Sequence, residues 1–103
     1  MAIKEYDLKI SEIIEETHDT KTFRINFEDE FNFEPGQFIS LTLDIMQNDE
    51  LKPLTRQYSI SSSPTKKNYI DLTIKKMANG VMSNYVIDNL KVGTPVKIKG
   101  PYG

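Results

Sequence analysis

A cation and a phenol ring lie two residues apart in the β-prone segment Arg56-Gln57-Tyr58-Ser59. Because successive side chains of a strand alternate between faces, Arg56 and Tyr58 are expected on one face, with Gln57 and Ser59 on the other. A guanidinium can bind a phosphate through paired hydrogen bonds while a flat ring packs against the phenol. An exposed cross-strand pair on a sheet edge is the alternative, and this segment alone favours that alternative.

A second candidate is Asn79-Gly80-Val81-Met82-Ser83, a glycine turn that leads into a short predicted helix. The free amides and the positive dipole end of a helix start bind phosphate, and glycine permits a close backbone approach. The alternative is an ordinary helix cap in which Asn79 or Ser83 satisfies the first amides, and the segment alone favours it. The glycine pattern is neither GxGxxG nor a P-loop, so it does not indicate a Rossmann or nucleotide-hydrolase site.

Composition restricts the chemistry that the chain can carry. Its 103 residues suit one domain, and a formal charge of -2 disfavours broad nucleic-acid binding. Without cysteine, and with His18 as the single histidine, redox chemistry must come from a bound organic cofactor and no metal site is expected. No apolar run approaches the roughly 20 residues of a membrane span, and charged residues interrupt the N-terminus, so we expect a cytoplasmic protein.

Short β-prone runs separated by polar turns predict the elements that position these residues. We expect an all-β fold, a six-stranded antiparallel Greek-key β-barrel, with one short capping helix at about 81–90. The helix is too short to be stable alone, so packing or a molecule bound at its N-terminus must hold it. The predicted strands are 6–15, 21–27, 38–43, 54–61, 69–76 and 95–99.

Taken in order, these segments resemble the FAD-binding domain of the ferredoxin–NADP reductase superfamily, which includes flavodoxin reductases and cytochrome b5 reductase-like proteins. The family's Arg-x-Tyr-Ser motif is matched by Arg56, Tyr58 and Ser59, and its Gly-x-x-Ser motif by Gly80 and Ser83. Two flanking signatures also resemble those of the family: Pro35-Gly36-Gln37-Phe38 and the terminal segment 92–103. Four weak motifs in the correct order favour this family over the simpler interpretations above.

The resemblance implies a role for each motif residue. Arg56 should pair with the FAD pyrophosphate, Tyr58 should pack against the isoalloxazine and ribityl chain, and Ser59, the candidate catalytic residue, should contact the flavin near N5. A neighbouring strand should add backbone contacts, and the helix start should bind the pyrophosphate. The expected cofactor-binding set is Arg56, Gln57, Tyr58, Ser59, Thr73, Ile74, Lys75, Gly80, Val81, Met82 and Ser83.

The resemblance also implies what residues 1–103 do not contain. Relatives continue into an NAD(P)-binding domain, so this chain is expected to be the flavin domain of an NAD(P)H-dependent oxidoreductase and not a complete enzyme by itself. Its partners would be an NAD(P)-binding domain or subunit and an unidentified electron acceptor, and the exposed interdomain face should favour self-association. The alternatives are an FMN-binding relative and a flavin-free β-barrel that binds other proteins. Thr94-Pro95 also replaces the acidic residue usual in the terminal signature.

Overall fold

A computed structural model describes residues 3–103, which form six strands and one helix. The predicted all-β fold with a short helix is confirmed. The elements, in chain order, are β1 (Lys4–Thr17), β2 (Thr20–Asn26), β3 (Phe38–Gln47), β4 (Glu50–Ser59), β5 (Tyr69–Lys75), α1 (Val81–Asn89) and β6 (Pro95–Tyr102).

The β3–β4 hairpin is longer than the sequence pattern predicts. Pairing continues past the expected strand ends to Gln47 opposite Glu50, and Asn48 and Asp49 form the turn with φ of 50° and 64°. Asn and Asp tolerate this left-handed conformation better than most residues, which allows a two-residue hairpin turn in place of the predicted loop. Pro53 is accommodated within β4 because β4 is an edge strand.

The six strands form one curled sheet in the order β4-β3-β6-β1-β2-β5. Every pair of neighbours is antiparallel. The sheet leaves β4 and β5 as its two edges, and they approach each other just beyond the end of β4, where the Ser61 amide donates to the Asp71 carbonyl at 2.8 Å. Between these two edges, a ligand can reach backbone N–H and C=O groups that are not paired with another strand.

Alternating apolar residues along the strands fill the inside of the curled sheet. In β3, Ile39, Leu41, Leu43 and Ile45 are buried while the residues between them are at least partly exposed. The same alternation in β5 buries Ile70, Leu72 and Ile74. These side chains belong to one hydrophobic core, so the orientation of both edge strands is set by their inward-facing residues.

Helix α1 is held by packing against β4 and β5 and by polar contacts beyond its own backbone. Its apolar side is buried in the core: Met82, Val86, Ile87 and, just past its end, Leu90. The Lys21 ammonium donates to the Ile87 carbonyl at 2.9 Å, and Lys76 pairs with Asp88 at 2.9 Å. No helix within residues 3–103 is long and apolar enough to cross a membrane.

Candidate cofactor-binding site

Arg56 lies on the exposed edge of β4 with its charge unpaired. Its guanidinium donates to the Thr55 carbonyl at 2.8 Å, and among residues 3–103 no carboxylate lies within 4.0 Å of it. Arg24 differs, because Asp71 binds it through two hydrogen bonds of 2.8 and 3.0 Å while its guanidinium lies 3.8 Å from the centre of the Tyr69 ring. Arg56 can therefore accept an anion from solution without breaking an internal ion pair.

Tyr58 is half-buried and packs against the hydrophobic core. Burial raises the pKa of its phenol above the ordinary value of 10.0, and the nearby charge of Arg56 partly opposes this shift. Arg56 and Tyr58 pair with the buried Leu41 and Ile39 of β3, so both side chains lie on the same face of β4, as strand alternation predicts. A neutral aromatic ring beside an unpaired guanidinium can support a flat ligand that carries phosphate.

The start of α1 is open. Gly80 is the N-cap residue with no side-chain cap, and the first turn contains no acidic residue. Within residues 3–103, the hydrogen bonds include none from the backbone amides of Val81, Met82 or Ser83. The alternative of an ordinary side-chain cap by Asn79 or Ser83 is therefore wrong, and these amides remain available to an anion.

The Ser83 hydroxyl contacts the turn before α1 and does not cap the helix. It accepts a hydrogen bond from the Met77 amide at 3.1 Å and lies 3.4 Å from the Gly80 carbonyl oxygen, which ties the preceding turn to the helix. A Cβ at Gly80 would lie 2.5 Å from this hydroxyl and 3.1 Å from the Met77 Cβ. Since Gly80 has an ordinary φ of -83°, glycine is needed here for space and not for backbone freedom.

These elements enclose a groove of about 530 Å³ between β4, β5 and the start of α1. Ten of the eleven predicted cofactor-binding residues line it, and the exception is Ser59. The lining includes two cations, Arg56 and Lys75, and no acidic residue. Met77 and Asn79 also line the groove and were not predicted as site residues, although both lie in the turn that immediately precedes Gly80.

The groove suits a diphosphate better than the cavity beside β1 does. The cavity beside β1, of about 370 Å³, is lined by five acidic side chains and one lysine. Its charge would repel an anionic ligand, whereas the groove offers two cations and the open amides of α1. The edge backbone of β4 and β5 also borders the groove, so main-chain groups can contact a bound ring system.

Ser59 lies outside the groove, at the end of β4, and its position is set by the flanking signatures. It pairs with Phe38 of β3, whose ring stacks on Tyr102 with centroids 5.5 Å apart. The Gln37 side chain donates to the Gly103 carbonyl at 3.0 Å, and the Gln37 carbonyl accepts from Ile60 at 3.2 Å. The segments at 35–38 and 100–103 thus hold the end of β4, and Ser59 is exposed there.

The fold and the groove define a β-barrel domain with a site for a flat, diphosphate-bearing cofactor. The sequence profile of the oxidoreductase FAD-binding domain family matches residues 7–103, and the chain belongs to that family. FAD is therefore its cofactor. The residues of the groove fit this molecule, because a half-buried phenol, an unpaired guanidinium and open helix amides lie together without a carboxylate.

Several known proteins share this domain. The chain is 40% identical over 93 residues to the glycine betaine monooxygenase reductase subunit of Pseudomonas aeruginosa, covering 88% of this chain and 24% of that protein. It is 31% identical over 104 residues to the ferredoxin reductase component of 3-ketosteroid-9-alpha-monooxygenase of Mycolicibacterium smegmatis, covering 94% and 29%.

A solved structure shares the fold. The cytochrome b5 reductase domain of Ulva prolifera nitrate reductase superposes with a TM-score of 0.84 at 23% identity, covering 97% of this chain and 42% of that chain. The chain spans only about a quarter of the length of the curated relatives, at 24–29% of the two proteins above.

Proposed function

We propose that this domain serves an NAD(P)H-dependent oxidoreductase, in which it carries electrons between a nicotinamide and an acceptor protein or small molecule. The observation that carries the proposal is the convergence of Arg56 and the open start of α1 on one groove. Bound FAD supplies the redox chemistry, since a flavin can accept a pair of electrons and release them singly or together. The protein residues bind, orient and shield the cofactor.

The phosphate end of the groove is assigned to two elements. Arg56 pairs with the pyrophosphate, and the amides from Val81 to Ser83 bind the same group, while Gly80 leaves room for the Ser83 hydroxyl in the turn that presents them. Lys75 adds positive charge from β5. A charge-assisted hydrogen bond is stronger than a neutral one, so Arg56 contributes the largest single polar contact in this assignment.

The ring end is assigned to β4. Tyr58 packs against the isoalloxazine and the ribityl chain, Gln57 and the backbone of 73–75 add polar contacts, and Ser59 contacts the flavin near N5. Ser59 is exposed beyond the groove, at the end of the edge strand that the groove follows. A flavin ring that extends from Tyr58 along β4 would reach it.

The electron donor enters through a partner. An NAD(P)-binding domain or subunit supplies the nicotinamide site, and the relatives support this because they are about four times as long as the stretch that they share with this chain.

Without that partner, an interdomain face of roughly 300–750 Å² would be open and would favour self-association. Sedimentation of concentrated protein tests this, and a strictly monomeric result opposes it. A cytoplasmic setting is also proposed, and cell fractionation tests it.

Titration of the purified chain with FAD, FMN and riboflavin tests the proposed function. FAD should bind most tightly, because its diphosphate reaches both Arg56 and the start of α1. Equal affinity for FMN would favour an FMN-binding relative. Protein that remains colourless and unchanged after incubation with all three flavins would favour a flavin-free interaction module and contradict the proposal.

A further inference from the structure

Asn84 holds the turn that precedes α1. Its side-chain amide donates to the Met77 carbonyl at 3.1 Å and to the Gly80 carbonyl at 2.7 Å. Its backbone amide also donates to the Gly80 carbonyl at 3.0 Å. Two carbonyl oxygens of the turn therefore converge on one side chain, which reaches back from the first turn of the helix.

The position of Asn84 shows which way these carbonyls face. Met77 and Asn79 border both the groove and a cavity of about 550 Å³ that Asn84 also lines. Asn84 is absent from the lining of the groove. The carbonyl oxygens of Met77 and Gly80 are thus directed toward a side chain that does not line the groove.

The direction of these carbonyl oxygens affects how the turn interacts with an anion. Carbonyl oxygens carry partial negative charge and would repel a phosphate, whereas the amides of the helix start attract one. The turn also contains Asn79 at a φ of 62°, a left-handed conformation that asparagine tolerates better than most residues. The two hydrogen bonds from Asn84 hold the residues on either side of it, Met77 and Gly80.

We propose that Asn84 is a positioning residue for the cofactor diphosphate, which it orients by fixing the turn from Met77 to Gly80 without touching the ligand. The proposal rests on the proposed function, since it assumes that the diphosphate lies at the start of α1. Nothing in the motif pattern identifies Asn84, because its partners lie seven and four residues earlier in a turn whose geometry the pattern does not define.

The variant Asn84→Ala tests the proposal by comparing two flavins. Loss of two neutral hydrogen bonds that orient the turn should weaken FAD binding by about tenfold. Riboflavin has no phosphate, so its affinity should stay unchanged. The matched control is Asn89→Ala, on the same helix, since within residues 3–103 the side chain of the exposed Asn89 makes no hydrogen bond.

A second measurement isolates the turn itself. Hydrogen–deuterium exchange of residues 77–83 should be faster in ligand-free Asn84→Ala than in the wild type or Asn89→Ala, while the β-sheet keeps its protection. Asn84→Asp, which keeps the size but loses the donors, should weaken FAD binding at least as much as Asn84→Ala.

Each outcome decides the proposal. A selective loss of FAD affinity with faster exchange in the turn supports it. An unchanged FAD affinity, or equal losses for FAD and riboflavin, overturns it, because the residue would then be irrelevant or merely structural. Failure of the wild type to bind any flavin would instead refute the proposed function, and the role of Asn84 with it.

Discussion

Replacement of Arg56 by alanine should weaken FAD binding and leave the fold intact. A charge-assisted contact to phosphate contributes about 1.5–3 kcal/mol, which corresponds to a rise in Kd of roughly ten- to over a hundred-fold. The cost to folding should be small, within about 0.5 kcal/mol, because the side chain is exposed and its internal hydrogen bond is to the neighbouring Thr55 carbonyl. Fluorescence titration with FAD measures the first effect and urea unfolding the second.

Arg24→Ala is the matched control. It removes the paired hydrogen bonds to Asp71, whose side chain is only 14% exposed, and so should lower the free energy of unfolding. Flavin affinity should stay close to that of the wild type, since Arg24 does not line the groove. Arg56→Lys should lie between wild type and Arg56→Ala, because an ammonium keeps the charge and loses the paired geometry.

The salt dependence of FAD affinity distinguishes the electrostatic contribution of Arg56 from packing contacts. Salt should weaken FAD binding in the wild type and have a smaller effect in Arg56→Ala, because the exposed cation is screened by ions. An Arg56→Ala protein that binds FAD as tightly as the wild type would remove Arg56 from the site. If Arg56→Ala failed to fold, the prediction that this substitution changes the free energy of unfolding only slightly would be refuted.

Three further changes should have distinct effects. Gly80→Ala should weaken FAD binding with little effect on riboflavin, because the added methyl group displaces the Ser83 hydroxyl and disturbs the turn, and the same titration measures this. Ser59→Ala should slow flavin reduction in the complex with a nicotinamide-binding partner and leave the Kd for FAD unchanged, which stopped-flow absorbance would show. The domain should lose stability above about pH 10, because the folded state holds the Tyr58 proton more tightly than the unfolded state, so stability present below the unfolded pKa falls as pH rises toward the folded pKa. Tyr58→Phe should flatten that loss in urea unfolding measured across the pH range.

Alternation predicts strands β3 and β5, because their inward-facing apolar residues recur at every second position. The extent of the hairpin was not predictable from polarity, since polar residues at its tip resemble a loop. Asn48 and Asp49 adopt left-handed conformations that keep the strands paired up to that tip.

The site residues that sequence motifs identified lie together, with the exception of Ser59. What the motifs could not show is which polar groups are already satisfied. The pairing of Arg24 with Asp71 joins residues far apart in the chain, and only the paired strands β2 and β5 reveal it. The sequence also does not reveal the hydrogen bond from the Met77 amide to the Ser83 hydroxyl, because it depends on the path of the turn.

The most direct test of the central claim is the position of the diphosphate in a crystal structure of the chain with FAD. The guanidinium of Arg56 and the amides of Val81 to Ser83 should both lie within about 3 Å of oxygens of the same diphosphate. A diphosphate that contacts only one of these elements, or that binds outside the groove between β4, β5 and α1, would contradict the assignment.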